Sequence, residues 1–198
     1  MKTIWTWLLV MTFFANTRES KMDFSHEELI LGGGCFWCLE AMFLQTKGVL
    51  EVHPGYAGGT TPNPTYEEVC SGSTGHAEVV RIRFDPKLVS AQTLLNLFFH
   101  IHDPTTLNRQ GNDHGTQYRS IVLSNSPLQK TLAEQEIARA KELWGKVVVT
   151  EIKEFKTFWI AEEYHWDCFR RNPGKGYCSF VIAPKVAKFR KEHPELIK

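Results

Sequence analysis

Two periods of apolar residues alternate along this chain, and the switches between them mark its elements. Leu29-Ile30-Leu31 is a short continuous apolar run, the pattern of a buried strand. Gly32-Gly33-Gly34 then permits a tight turn, and beyond it Leu39, Met42 and Phe43 fall at helical spacing. Residues 49–52 read as a strand and 54–59 as a turn-rich loop. Thr65 is placed to cap a short helix over 65–70, with Glu67 and Glu68 in its first turn. Residues 76–84 alternate strictly: Glu78, Val80, Ile82 and Phe84 share one face, and Ala77, Val79, Arg81 and Arg83 the other.

Further on, Ser90 caps a helix over 90–102 whose Leu94, Leu97, Phe98 and Ile101 face inward. His100 and His102 near its C-terminal end read as exposed and are given no site role. Residues 103–116 form a long polar loop, a place where function concentrates. A strand is predicted over 117–123, and a helix from Ser126 with a capping box, Pro127 at its first position and Gly145 at its end. Its stripe is Ala133, Ile137, Ala140 and Trp144. A β-branched strand over 147–152, a helix over 161–171, an apolar stretch over 177–182 and a last basic helix over 184–191 complete the chain. Strands and helices mix without strict βαβ alternation. The prediction is an α+β fold: a two-layer sandwich of a mixed sheet with packed helices, long loops outside and a ferredoxin-like core.

Neither internal repeats nor low-complexity linkers interrupt the pattern, so residues 23–198 are expected to form one domain. Residues 1–22 stand apart. Lys2 precedes an apolar run over 4–14 that resembles a secretory signal and is too short to span a bilayer. Met22 is an alternative start. The protein is expected to be exported if this segment acts as a leader, and cytoplasmic otherwise. The formal net charge of +1 gives no field to draw nucleic acid or an anionic membrane, so neither partner is expected, and nothing in the pattern demands an oligomer.

The chemistry-bearing residues begin with five cysteines: Cys35, Cys38, Cys70, Cys168 and Cys178. An odd count argues against a purely structural disulfide framework. Cys35 and Cys38 form one C-x2-C pair with no second tight pair to complete a zinc ribbon, so no metal site is expected. Redox or nucleophilic thiol chemistry fits better. Cys35 should sit at a strand-to-helix junction, where free amides and the helix dipole favour a low thiol pKa and a thiolate. Phe36 and Trp37 would wall that sulfur with aromatic surface suited to a methyl or thioether. Glu78 shares a row with three apolar residues. It is either a strand-end or paired carboxylate, or a desolvated carboxyl that stays protonated near neutrality and acts as a general acid. Three classes stay open on these grounds: a thiol-dependent reductase, a dithiol–disulfide oxidoreductase using Cys35 and Cys38, and a metal- or redox-sensing module.

Four motifs carry a resemblance. They are Gly34-Cys35-Phe36-Trp37, Gly55-Tyr56-Ala57-Gly58-Gly59, Thr74-Gly75-His76-Ala77-Glu78 and the run from Gln110 to Ser120, GNDHGTQYR within it. In this order they resemble the signatures of the peptide methionine sulfoxide reductase A family. The resemblance implies attack by Cys35 on the sulfoxide sulfur, proton donation by Glu78, and hydrogen bonds to the sulfoxide oxygen from Tyr66 and Tyr118. It implies that Asp113 orients the polar side of the pocket and that Phe36 and Trp37 hold the methyl group. Selectivity for the S epimer follows, as separate enzymes serve the two epimers. So does a Cys35 sulfenic acid that a second thiol converts to a disulfide for thioredoxin to reduce, with no bound cofactor. Cys178, in Gly176-Tyr177-Cys178, matches the family's recycling position, and Cys38 is the alternative. Cys70 and Cys168 read as structural thiols or late relays. Oxidised proteins or free methionine sulfoxide would be the substrates.

Overall fold

The structure, a computed structural model, describes residues 26–198; the leader expected over 1–22 lies outside them. The strands are β1 (Glu27–Gly32), β2 (Val49–Ala57), β3 (Ala77–Phe84), β4 (Arg109–Gln110), β5 (Asp113–His114), β6 (Ile121–Ser124), β7 (Glu151–Glu154) and β8 (Phe158–Ile160). The helices are α1 (Phe36–Phe43), α2 (Tyr66–Cys70), α3 (Ala91–Ile101), α4 (Pro127–Trp144), α5 (Cys168–Arg171) and α6 (Ala183–Glu192). A six-stranded mixed sheet runs in the order β7-β6-β1-β3-β2-β8. Its central four strands are antiparallel, and with α1 and α3 they make the split β-α-β arrangement of a ferredoxin-like core. β7 adds in parallel to β6, and β8 antiparallel to β2.

The alternation in β3 sorts the two faces. Val80, Ile82 and Phe84 join Leu29, Leu31 and Val52 in the large core under the helices, whereas Ala77 and Val79 pack with Ile30, Ile121 and Leu123 on the other face. Phe155 and Phe158 cover that second, smaller cluster. Each fully buried Phe or Leu in the main core contributes about 1.5–3 kcal/mol relative to exposure. The α2 and α4 caps sit at the predicted residues: Thr65 caps α2, in a reciprocal capping box with Glu68, and Ser126 accepts from the Gln129 amide, while Gly145 ends α4 in a left-handed conformation. The capping box predicted at Ser126 does not close, because the Gln129 Oε1 accepts the Asn125 amide instead (3.2 Å).

Several predicted elements are corrected. Residues 54–57 continue β2 instead of turning. A Cβ on Gly55 would fall 2.3 Å from the Phe158 ring and 2.4 Å from the Trp159 carbonyl, so this glycine admits the close crossing of β8. The strand predicted from 117 begins only at Ile121, because Tyr118 and Arg119 donate their amides back to Gly115 and Thr116 in a tight helical turn over Thr116–Tyr118. The β-branched run at 147–150 connects and does not pair; β7 starts at Glu151. The helix predicted over 161–171 is broken into a turn at Glu163–His165 and the short α5, with Asp167 left-handed between them (φ 50). Buried Glu40 accounts for the break: its Oε1 accepts the Asp167 amide at 2.7 Å. The stretch after Tyr177 is helical (Cys178–Ile182) and runs into α6.

Candidate active site

Two glycines decide how the chain enters α1. A Cβ on Gly33 would lie 2.8 Å from the His102 ring and 2.9 Å from Phe98, and Gly34, at φ +89, passes 2.5–2.7 Å from the Gln110 side chain by the same measure. Only glycine permits this close approach together with that left-handed turn. His102 is therefore not the exposed residue expected. It is buried, stacks on Phe98, donates from Nδ1 to the Phe98 carbonyl and accepts the Ser120 hydroxyl at Nε2 (2.7 Å). Burial lowers its pKa to about 4, so it is a neutral wedge beneath the loop.

Cys35 emerges from this turn as the N-cap residue of α1, one position ahead of the first helical turn. The free amides of that turn are divided between two acids. The Phe36 amide donates to Glu78 Oε2 at 3.1 Å, and the Trp37 amide points at the Cys35 sulfur. That second contact favours a thiolate, as the sequence predicts, but it is outweighed. Burial, then a hydrogen bond with Cys38, then the negative charge of Glu78 push the Cys35 thiol well above its ordinary value. The expected resting thiolate is thus corrected to a thiol: the helix terminus opposes the dry pocket and loses.

Glu78 behaves as its place on the apolar row suggested. It is 1% exposed, and burial raises its carboxyl to about 8 against the pull of the Phe36 amide, so it holds a proton at neutral pH. Around it stand two phenols. Tyr66, on α2, and Tyr118, in the turn before β6, are both raised by burial and then by the Glu78 charge, and remain protonated donors. Asp113, on β5, completes the polar side; its Oδ2 accepts the Tyr177 hydroxyl at 2.7 Å. The apolar side is Phe36 and Trp37, whose ring centroids lie 6.2 Å apart. Tyr177 packs edge-on to Trp37 at 5.9 Å and closes the cluster from the C-terminal segment.

The thiols form two pairs. Cys38 is hydrogen-bonded to Cys35, and that bond, followed by the Lys185 ammonium at 3.6 Å, holds the Cys38 thiol below its ordinary value in spite of burial. Cys178 is buried beside Cys168, whose thiol it contacts; burial and Cys178 together raise Cys168 to about 11. Cys70 is exposed, next to the Tyr66 phenol. Among the described residues no cluster of three or more metal-ligating side chains occurs.

Other residues at the site have no distinct sequence signal. Glu162 accepts the Tyr56 hydroxyl (2.7 Å) and the Tyr66 amide (3.0 Å), and so fixes the start of α2. His165 lies among the rings of Phe36 (4.9 Å), Tyr66 (4.6 Å) and Trp37 (5.5 Å). Arg119 is buried and donates to the Gly75 (3.0 Å) and Thr116 (2.8 Å) carbonyls, tying the entry of β3 to the turn that carries Tyr118. A charged residue next to Tyr118 gives no hint of this clamp in the sequence. The arrangement can deliver a proton to an oxygen whose neighbouring atom Cys35 attacks, and can close a disulfide between adjacent thiols.

A profile of the family described as peptide methionine sulfoxide reductase matches residues 27–196. A peptide methionine sulfoxide reductase MsrA from Saccharolobus solfataricus is 54% identical over 172 residues, covering 87% of this chain and 97% of that protein. Among solved structures, Mxr1 from Saccharomyces cerevisiae in reduced form superposes with a TM-score of 0.72 at 34% identity, over 78% of this chain and 90% of that one. Mxr1 in complex with Trx2 superposes with a TM-score of 0.52 at 25% identity, over 73% and 86%.

Proposed function

The chain belongs to the peptide methionine sulfoxide reductase A family, enzymes that reduce methionine S-sulfoxide, and we propose that its residues 23–198 do so with the roles that follow. The sulfoxide enters with its methyl against Phe36 and Trp37 and its oxygen toward Glu78, Tyr66 and Tyr118. Asp113 orients the polar end. The Cys35 sulfur attacks the sulfoxide sulfur while the Glu78 proton passes to the oxygen, which turns a poor leaving group into a good one. The phenols hydrogen-bond the same oxygen as its charge develops. The bond from Cys35 to the sulfoxide sulfur forms as the S–O bond breaks, and the oxygen leaves as water with the Glu78 proton and the former thiol proton. A water then attacks the Cys35 sulfur and returns a proton to Glu78, the S–S bond breaks, methionine departs, and Cys35 is left as a sulfenic acid.

The second thiol to react is Cys38. Its contact with Cys35 favours it for the first disulfide over Cys178, which is occupied with Cys168. The Cys38 sulfur attacks the sulfenic sulfur, the S–S bond forms, the S–O bond breaks and the oxygen leaves as water. Cys178 then exchanges onto Cys38, freeing Cys35 as a thiol. A thioredoxin reduces the resulting bond; the structure of Mxr1 with Trx2 supports that class of reductant. Oxidised proteins and free methionine sulfoxide both present the group recognised.

The observation that carries this reading is the Phe36 amide bonded to a protonated, buried Glu78 beside the Cys35 sulfur. Its test is single turnover of the pre-reduced protein on racemic methionine sulfoxide with no external reductant, in wild type, Cys38→Ser and Cys178→Ser. With the reactive epimer limited to one equivalent, wild type is expected to convert it fully to methionine, and Cys38→Ser to accumulate sulfenic acid; in excess substrate wild type should reach a second equivalent from the Cys35 thiol that Cys178 frees. No methionine from wild type defeats the reading; sulfenic acid in Cys178→Ser alone reassigns the first disulfide.

A further inference from the structure

Lys185 has no role in the reaction as set out above. It lies near the start of α6, and its half-buried ammonium reaches across 147 positions of sequence to Cys38 Sγ at 3.6 Å. Among the described residues that sulfur is its only hydrogen-bond partner, and no carboxylate stands within ion-pairing distance. A lysine that gives up part of its hydration commonly meets a carboxylate; here it meets a thiol.

The surroundings of both groups are fixed by several elements. Cys38 is faced by Cys35 on its own turn, by Glu78 from β3, by Asp113 from β5, by Tyr177 ahead of α6 and by Lys185. Glu78 is protonated and Tyr177 is a neutral phenol, so the charges that act on Cys38 at neutral pH are Asp113, which opposes a thiolate, and Lys185, which favours one. On its other side Lys185 lines a cavity of about 210 Å³ with His102, Asp103, Lys188 and Glu192. His102 is neutral, and neither Asp103 nor Glu192 pairs with the ammonium, so its nearest partner among the described residues is the Cys38 sulfur.

We propose that Lys185 is the positioning residue of the recycling step, holding Cys38 as the attacking thiolate so that the first disulfide closes rapidly at neutral pH. The inference rests on the reading that Cys38 closes that disulfide. The Cys38 lone pair attacks the sulfenic sulfur of Cys35; the S–S bond forms, the S–O bond breaks, and the departing hydroxide takes a proton from solvent to become water. Cys38 is oxidised and the sulfenic sulfur reduced, with no outside electron carrier. Reaction of Cys35 with the sulfoxide precedes this and does not involve Lys185, so the two steps separate in time.

The full chain, pre-reduced and mixed with methionine sulfoxide in a rapid-quench instrument, reports both steps: methionine by chromatography, disulfide by alkylation and mass spectrometry. Lys185→Met keeps the stem and removes the charge; Lys185→Arg keeps the charge. In Lys185→Met, disulfide closure at pH 7 is expected to slow about tenfold and its pH midpoint to rise by about one unit. Methionine release should stay within about twofold, as expected of a group that acts only after the sulfenic acid forms, and Lys185→Arg should restore most of the closure rate. Closure in Lys185→Met at the wild-type rate and midpoint overturns the proposal, as does equal slowing of both steps. Alkylation of Cys38 by iodoacetamide in the Cys35→Ser background reads the lysine's effect without turnover, and an unchanged pH profile there on removing Lys185 overturns it as well. A wild-type disulfide from Cys35 directly to Cys178 overturns the underlying reading instead, and is distinguished by its peptide masses.

Discussion

Glu78→Gln removes a proton and a titration while keeping the shape of the side chain. The glutamine oxygen still accepts the Phe36 amide that Glu78 accepts at 3.1 Å. Burial raises the Glu78 carboxyl from 4.5 to about 8, and at ~1.4 kcal/mol per tenfold in proton affinity this is a penalty of about 5 kcal/mol on the charged form in the fold. The folded value lies above the unfolded one, so the stabilisation from the protonated group is fully present below pH 4.5 and is lost as pH climbs through about 8. At pH 9 the native wild type holds an ionised carboxyl in a dry site that the unfolded chain would hydrate. Glutamine has no such liability. The melting temperature of Glu78→Gln relative to wild type should therefore rise between pH 4 and pH 9, by up to roughly 10–20 °C for a chain of this length. At pH 7 the same variant should form methionine about 100- to 10,000-fold more slowly in single turnover, the usual worth of a positioned general acid. Circular-dichroism melts across the pH range and rapid-quench assays at pH 7 measure the two effects. Parallel melting curves would show that the carboxyl is not held protonated, and methionine formation within tenfold of wild type would show that the proton comes from elsewhere.

Three further outcomes follow from the same contacts. Cys38→Ser should give a full methionine burst and a Cys35 sulfenic acid that dimedone traps, whereas untrapped closure onto Cys178 at the wild-type rate would remove Cys38 from the first disulfide. Asp113→Asn should raise KM for methionine sulfoxide about tenfold with a smaller change in kcat; an unchanged KM would leave Asp113 as a partner of the Tyr177 hydroxyl alone. Arg119→Met frees the Gly75 and Thr116 carbonyls and leaves Glu151 without its 3.3 Å partner. Glu151 keeps Lys153 at 2.6 Å, so the cost is that of the freed carbonyls, about 2 kcal/mol, read as a lower denaturant midpoint, and a loss under 0.5 kcal/mol would mean that the two loops hold without the clamp.

What the sequence disclosed was whatever depended on local periodicity. The β3 alternation placed Glu78 on the helix-facing row, and the caps of α2, α3 and α4 sat at Thr65, Ser90 and Ser126. What it concealed depended on contacts made far along the chain. Gly55 looked like a turn because a glycine that admits a crossing strand and one that bends the backbone are the same letter. The helix over 161–171 had the right periodicity and was broken by Glu40, 127 positions away. His102 looked exposed at a helix end until Gly33 left room for its ring. At the site, the reactive groups were legible through their motifs, while the groups that hold them (Arg119, Glu162, Lys185) were not, since each acts through a partner from 32 to 147 residues distant.

Burial acts in the same sense on the two acids that share the start of α1, and with opposite consequences for the reaction. It keeps Glu78 protonated, which the proposed reaction needs, and it keeps Cys35 a thiol, which the reaction must undo. A wetter pocket would free the thiolate and discharge the acid together, so solvation cannot tune one without spoiling the other. Proton placement can. When Glu78 is neutral its charge no longer opposes a Cys35 thiolate, and the Trp37 amide still favours one. The acid proton stays on Glu78 until the sulfoxide oxygen takes it. The C-x2-C spacing serves the half of the cycle that follows: Cys38 is the sulfur that relieves Cys35 of its oxygen.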